Sequence, residues 1–154
     1  MKWSYFIVVL AAIAVICWVT YEGGSLIYFL DTASVLLIIV LPLLMLMATY
    51  SPAEIVGCFA VAFRKEGTDL DMIAKGIHFF SLLRSYLIVT ALFSFMIGFI
   101  LIMANSVGTD KLSQFGGKIA ISVIPIHYAL ALMLLVTIPF KAGLEKKKIE
   151  LSRI

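Results

Sequence analysis

Charge is the scarcest feature of this 154-residue chain. Only 14% of its residues are charged, whereas about 25% is usual in soluble domains, and 63% are hydrophobic. The mean hydropathy of +1.12 reflects long apolar runs without the helical or alternating pattern of a soluble core. Cysteine is also rare: Cys17 lies inside an apolar run and Cys58 outside one, so they predict no disulfide. This composition excludes an ordinary soluble domain and indicates an integral membrane protein.

The chain also lacks the motifs of common catalytic sites. It has no glycine-rich phosphate loop, no metal-ligand cluster, no paired carboxylates and no nucleophile with a base at workable spacing. The sequence therefore predicts that the protein is not an enzyme and binds no cofactor. Its net charge of +3 comes from short basic segments beside apolar runs, which favours contact with anionic lipid headgroups over nucleic acid.

Four apolar runs are each long enough to cross a bilayer. A transmembrane helix needs about 20 apolar residues, because about 30 Å of hydrocarbon is crossed at about 1.5 Å per residue. A helix also satisfies its own backbone hydrogen bonds, which lipid cannot do. The sequence therefore predicts an all-α integral membrane protein, with residues 1–154 forming one membrane domain of four transmembrane helices. The predicted spans are Tyr5–Tyr21, Thr32–Tyr50, Ser85–Ala104 and Ile119–Phe140.

Lysine and arginine are concentrated in two parts of the chain. Several lie in the segment 51–84 between the second and third predicted spans, and others lie in the tail 141–154. Positively charged loops stay on the cytoplasmic side of a membrane. The sequence therefore predicts that both termini and the segment 51–84 are cytoplasmic, the N-in/C-in orientation.

The cytoplasmic segment 51–84 carries the signals of short amphipathic helices. Ser51 is a suitable N-cap, Pro52 suits the first helical position, and Glu54 completes a capping box. Apolar residues follow at helical spacing, are interrupted at 64–71, and resume toward the third span. This pattern predicts a short helical hairpin at the membrane surface.

The third predicted span has a stripe of small and polar residues. Thr90, Ser94 and Gly98 follow one another at intervals of four, which places them on one face of a helix. Such a face can be a packing surface, because small residues let helices approach closely in lipid. It can also be a pore wall, and both interpretations stay open.

The fourth predicted span contains an ionisable residue, His127, near its middle. An ionisable side chain at this depth suggests a functional role, such as proton relay. The alternative is a neutral imidazole satisfied by a neighbouring hydroxyl or carbonyl. No Asp, Glu, Lys or Arg lies deep within any of the four predicted spans. The chain alone therefore has no membrane carboxylate to carry an ion.

Three stretches resemble the flagellar stator protein MotA. "GGSLIYFLDTASVLLIIVLPLL" (Gly23–Leu44) resembles the segment leading into and through its second helix. "SFMIGFI" (Ser94–Ile100) resembles the core of its third helix, with Gly98 at the family glycine. "FGGKIAISVIPIHYALALMLLVTIPFKAGLEKK" (Phe115–Lys147) resembles its last helix, in which Pro139 matches a structural helix end followed by a basic extension.

The resemblance extends to the wider MotA/TolQ/ExbB proton-channel family and implies a function. Five copies of such a subunit surround two copies of a single-span partner of the MotB, TolR or ExbD type, in the bacterial inner membrane. The partner supplies a membrane Asp that binds the translocated ion, H⁺ or Na⁺. The residues that the resemblance and the helix faces assign to the pore-lining or partner-facing surface are Thr90, Ser94, Gly98, Ser122, Pro125, Ile126, His127 and Ala129.

Two features depart from the family and leave alternatives open. Ile126 occupies the position of a family Thr on the last helix and has no hydroxyl. The cytoplasmic segment 51–84 is much shorter than that of MotA, which makes a flagellar rotor contact of the usual kind doubtful. One alternative is a non-conducting membrane scaffold of the same architecture. Another is a self-contained small channel with His127 as a pH gate.

Overall fold

The computed structural model describes residues 3–22, 24, 31–64, 69–105 and 115–152. This part of the chain is 93% helical and contains no strand. A π-helical turn, Met133–Thr137, connects the last two helices. The α-helices are α1 (Trp3–Glu22), α2 (Thr32–Met47), α3 (Pro52–Phe63), α4 (Leu70–Asn105), α5 (Phe115–Leu132) and α6 (Ile138–Leu151).

Three helical stretches are long and apolar enough to cross a membrane: Tyr5–Glu22, Leu70–Ala104 and Gly116–Leu151. The helices α2 and α3 form a fourth candidate only if they count as one broken span, because they meet at an angle of 107°. The predicted all-helical class is confirmed, and the length and composition of these helices indicate a multi-pass membrane protein. The number of candidate spans is three or four.

The predicted third span, Ser85–Ala104, is not a helix of its own. It is the second part of α4, which has 36 residues and is about 54 Å long at about 1.5 Å per residue. The second arm of the predicted hairpin is the first part of the same helix, since no proline interrupts it. Only α3 is a separate short helix, and the residues 65–68 of the predicted turn lie outside the described part.

The long helix α4 packs antiparallel against the continuous stretch formed by α5, the π-helical turn and α6. Near one end Gly98 meets Ser122, and near the other Gly76 meets Leu144. Between these contacts lies a buried apolar cluster that also includes a residue of α2. Its members are Ile38, Leu87, Ala91, Ala129 and Met133.

The resemblance implied that the last helix ends at Pro139, and this prediction is wrong. The helix continues to Leu151, because the π-helical turn changes the hydrogen bonding just before the proline. Pro139 has no N–H to donate to the carbonyl of Leu135, one turn earlier. The hydroxyl of Tyr5 in α1 donates to that carbonyl instead, at 2.6 Å. The backbone N–H of Ile138 bonds the carbonyl of Met133, five residues earlier, as a π-helix requires.

The predicted capping box at the start of α3 is present. The N–H of Glu54 donates to the Ser51 hydroxyl at 3.4 Å, and the Ser51 N–H donates to the Glu54 carboxylate at 2.8 Å. A cluster of aromatic rings, mostly in edge-to-face contact, packs α3 onto α4 and α6. The rings nearest α3 belong to Phe59, Phe63, Phe79, Phe80 and Phe140.

Two lysines from other helices contact the ends of α3. Lys75 of α4 pairs with the carboxylate of Glu54. Lys147 of α6 donates to the carbonyl of Val61, at 3.2 Å, and to that of Arg64 at the C-cap. We call this region, where α3 packs on the first turns of α4 and on α6, the basic end of the molecule.

Candidate functional site

A cleft with a mostly apolar lining and a few polar side chains lies at the end of the molecule opposite the basic end. It is bordered by the first turns of α2, the last third of α4 and the first half of α5, and has a volume of about 320 Å³. On α4 it lies about 35 Å along the helix axis from Lys75, at about 1.5 Å per residue. Four of the eight residues predicted for the functional surface line it: Ser94, Gly98, Ser122 and Pro125.

Close contact between α4 and α5 forms the floor of the cleft. A Cβ added at Gly98 would lie 3.0 Å from the Cβ of Ser122 and 3.3 Å from its Cα. Only glycine lets the two backbones come so near, as small residues do in membrane helix pairs. This is the packing role proposed for the stripe of small residues.

The hydroxyls around the cleft are bonded in different ways. Asp31 caps α2, because its carboxylate accepts from the N–H of Ser34 at 3.0 Å and also from the Ser34 hydroxyl. The Ser122 hydroxyl donates to the carbonyl of Ile119 at 2.7 Å. Ser94 differs from both, since its buried hydroxyl has no hydrogen-bond partner in the described part of the chain.

Two charged residues complete the wall of the cleft. Asp31 comes from the start of α2 and Lys118 from the first turn of α5, and both are partly exposed. They bring one charge of each sign to a wall that is otherwise composed of hydroxyls and apolar side chains. The polar groups of the cleft therefore carry no excess of either sign of charge, and the rest of its lining is mostly apolar.

The other four predicted residues do not line this cleft. Thr90 and Ala129 are buried in the chain, and Ile126 packs against the apolar cluster between α4 and α5. His127 is exposed on the outer face of α5, with its ring 6.3 Å from that of Tyr128. Their assignment to a pore-lining or partner-facing surface stays a prediction.

Three polar residues of the cleft were not predicted as site residues: Asp31, Ser34 and Lys118. Asp31 and Ser34 are spaced as an N-cap and its third helical residue, which is a signal that the sequence contains. Lys118 lies at the start of α5, outside the two basic segments of the sequence, and no motif marks it. No sequence pattern links these residues to Ser94, because the cleft forms only when three helices pack together.

The helices are long and apolar enough to indicate a multi-pass membrane protein, and the cleft lies between three of them. No model of a known protein family matches the chain, and a search of curated proteins finds no match.

Proposed function

We propose that the chain is a MotA/TolQ/ExbB-like subunit of an ion-driven complex in the bacterial inner membrane. In this proposal five copies form a ring around two copies of a single-span partner, and the partner carries the Asp that binds H⁺ or Na⁺. The subunit itself contributes the walls of the ring. The sequence supports this division of roles, since none of its predicted spans contains an acidic residue.

The exposure of His127 is the observation that carries the proposal. His127 of α5 shares one face of α5 and the following π-helical turn with three exposed apolar residues, and we call this face the His127 stripe. An imidazole in the middle of a membrane span is costly to expose to lipid. A stripe of this kind is better accommodated against another protein segment, which here is the single-span partner. The other members of the stripe are Val123, Leu130 and Leu134.

The length of α4 supports the proposed orientation. At about 54 Å, α4 exceeds the hydrocarbon thickness by roughly 24 Å, so one end must project into water. The basic end carries Lys75, Lys141 and Lys147 and is the end suited to project. By the positive-inside rule the basic end lies in the cytoplasm, and the cleft between α2, α4 and α5 then lies toward the opposite side of the membrane.

Photo-crosslinking in the native host tests the proposed partner contact. A photoreactive phenylalanine derivative replaces Leu130, an exposed member of the His127 stripe, or Leu10, an exposed residue of α1 that serves as the control. We expect the probe at Leu130, and not the probe at Leu10, to capture a single-span protein with an Asp in its membrane segment. Capture of lipid or of copies of this chain alone from Leu130 contradicts the proposal.

A non-conducting scaffold of the same architecture is the second candidate, and Ile126 favours it. The family hydroxyl is absent at this position, and Ile126 is partly buried against the apolar cluster. The two candidates differ in ion flux through the purified complex in proteoliposomes. Flux that depends on the partner's carboxylate supports the motor, and a partner-bound complex without flux supports the scaffold.

A further inference from the structure

Ser94 is a buried hydroxyl that the described part of the protein leaves unsatisfied. The residue is 4% exposed, and its Oγ has no hydrogen-bond partner there. Serine in a helix can bond the carbonyl four residues earlier, as Ser85 of the same helix does with Ser81 at 3.2 Å. A buried polar group without a partner is rare in folded proteins and calls for a ligand or water. The Ser94 hydroxyl is therefore free to bond a water or another polar ligand in the cleft.

A second acceptor lies on the opposite wall of the cleft. Pro125 has no backbone N–H, so the carbonyl of Ile121, one turn earlier, loses its usual helical donor. Both residues line the cleft together with Ser94. The hydroxyl of Ser122 donates a hydrogen bond to the carbonyl of Ile119, so its oxygen can still accept one. The cleft thus combines one free hydroxyl with oxygen acceptors from another helix.

The cleft has room for several water molecules beside its polar groups, while most of its lining is apolar. Its volume of about 320 Å³ is many times what a single water needs, and buried waters make two to four hydrogen bonds to such groups. Asp31 and Lys118 are partly exposed and give it a polar entrance. A lipid acyl chain could fill the apolar part of the wall but could not bond Ser94.

We propose that this cleft is a water-binding site that extends from Asp31 and Lys118 inward to Ser94. Its ligand is a chain of water molecules that bonds the Ser94 hydroxyl, the Ile121 carbonyl and the Ser122 oxygen. The proposal stands on the geometry of one chain and does not depend on the proposed function. In a membrane it lets water reach Ser94 from the end of the bundle that carries Asp31 and Lys118.

Cysteine accessibility tests this proposal in the full-length protein. Ser94→Cys is made in a background with Cys17→Ala and Cys58→Ala, and purified protein in lipid nanodiscs is treated with a charged, water-soluble methanethiosulfonate. Ala91→Cys is the control for a dry interior, because Ala91 is equally buried one turn earlier. Phe93→Cys is the control for the exposed face of α4. Only a thiolate in contact with water reacts quickly.

We expect the cysteine at position 94 to react at least about ten times faster than those at positions 91 and 93, since only it contacts water. A second change, Leu37→Trp, narrows the cleft and should slow this reaction. Equal, slow reaction at positions 94 and 91 overturns the proposal. So does fast reaction at 94 that Leu37→Trp leaves unchanged, because the reagent then arrives by another route.

Radiolytic footprinting of the unsubstituted protein keeps the test valid if a cysteine variant fails to fold. Hydroxyl radicals formed from bound water oxidise adjacent side chains. Pro125 lines the cleft, whereas Met133 is equally buried in the apolar cluster and is chemically the easier target. Oxidation of Pro125 with Met133 spared supports the proposal, and oxidation of Met133 with Pro125 spared, or of neither, overturns it.

Discussion

Pro139 removes one backbone hydrogen bond from the last helical stretch, and a side chain of another helix replaces it. The carbonyl of Leu135 lacks the donor that a non-proline residue would supply. Tyr5 donates to this carbonyl at 2.6 Å, and its ring packs edge-to-face on Phe140. The first helix is thereby attached to the π-helical turn by one polar and one aromatic contact.

We predict that Tyr5→Phe lowers the free energy of unfolding by about 1–2 kcal/mol, because it leaves the Leu135 carbonyl without a donor in a low-dielectric setting. Tyr21→Phe, an exposed tyrosine at the other end of α1, should change it by much less. Reversible unfolding in mixed micelles measures both.

The Pro139→Ala background shows whether Tyr5→Phe acts by removing this hydrogen bond or by weakening the packing of the ring. The alanine restores a backbone N–H, so the carbonyl of Leu135 gains an internal donor. The effect of Tyr5→Phe should then shrink in the Pro139→Ala background. An undiminished effect would mean that Tyr5 acts through its ring contact with Phe140 alone.

Single residues differed in how far the sequence predicted them. The capping box of Ser51 and Glu54 was predicted correctly, because its partners lie three residues apart and the pattern is local. The continuation of the helix through Pro139 was not predicted. It depends on Tyr5, which is distant in sequence, and on a π-helical turn that has no local signal.

Among the helices, α3 is the one stabilised most visibly by charged side chains from its neighbours. Lys147 donates to the carbonyls of Val61 and Arg64, which would otherwise be unpaired at the C-terminus of the helix. The positive charge also interacts favourably with the negative end of the helix dipole. Partial burial lowers the pKa of Lys147, as expected for an ammonium drawn toward the protein.

Lys147→Gln should loosen the last turn of α3. Losing a cation at a helix C-terminus costs about 0.5–1 kcal/mol, which corresponds to roughly two- to five-fold faster amide exchange there. Hydrogen–deuterium exchange of the peptide ending near Phe63 is the measurement. Lys146→Gln removes the same charge from the neighbouring exposed position and should leave that exchange rate unchanged.

The other end of α3 is sensitive to acid through Glu54. The hydrogen bond from Lys75, with those from the Ser51 backbone and side chain, lowers the pKa of Glu54 from 4.5 to about 2. A carboxyl whose pKa is lower in the folded state stabilises that state fully above its ordinary pKa and loses the effect as the pH falls. We expect amide hydrogen exchange in the first turn of α3, corrected for the intrinsic pH dependence, to become faster as the pH falls from 4.5 to about 2. This change should be absent in Glu54→Gln. An identical pH profile in the variant contradicts this role.

Contact between α4 and its antiparallel partner depends on Gly98 more than on Gly76. A Cβ at Gly98 meets the Cβ and Cα of Ser122, which can move only if the helices separate. A Cβ at Gly76 meets the end of the flexible Leu144 side chain, at 2.8 Å from its Cδ1. Gly57 has open space around its Cβ position and serves as a reference.

We predict that Gly98→Ala destabilises the fold by about 1–2 kcal/mol, as overpacking of a tight contact does. Gly57→Ala should stabilise it by about 0.5–1 kcal/mol through helix propensity, and Gly76→Ala should lie between the two. Thermal unfolding of the three variants gives the order. A Gly98→Ala variant as stable as Gly57→Ala would show that α4 and α5 are less closely packed than described.

Hydropathy predicted the helices well where they are apolar and poorly where they leave the apolar region. The apolar parts of α4 and of α5 with the π-helical turn matched the predicted third and fourth spans. The first third of α4 was assigned to a separate surface helix, because its charged residues end the apolar run without ending the helix. The cleft was not predicted, since its residues come from three helices and its clearest mark, the unpaired hydroxyl of Ser94, appears only after packing.

At the scale of the whole molecule, charge and apolar surface are clearly separated. The ion pairs Glu54–Lys75 and Lys141–Glu145 both lie at the basic end. The outer faces of α1, α4 and α5 present large apolar side chains along their lengths. This distribution is what a multi-pass protein needs, with lipid or other subunits around its middle and water at its ends.

In the proposed complex, other copies of the chain and the single-span partner pack against these apolar faces. The first helix contacts the rest of the chain near its start, where the rings of Tyr5 and Phe6 pack on Phe140 and Phe63. The remainder of α1 is left for lipid or neighbouring copies, and the His127 stripe is left for the single-span partner. The stoichiometry of the complex is therefore the quantity that the account predicts most directly.

Native mass spectrometry of the complex, extracted in mild detergent from its own host through a tag on this subunit, measures that stoichiometry. The account predicts five copies of this chain with two copies of a single-span protein that has an Asp in its membrane segment. A complex made only of this chain, or one whose partner has no membrane carboxylate, would contradict it.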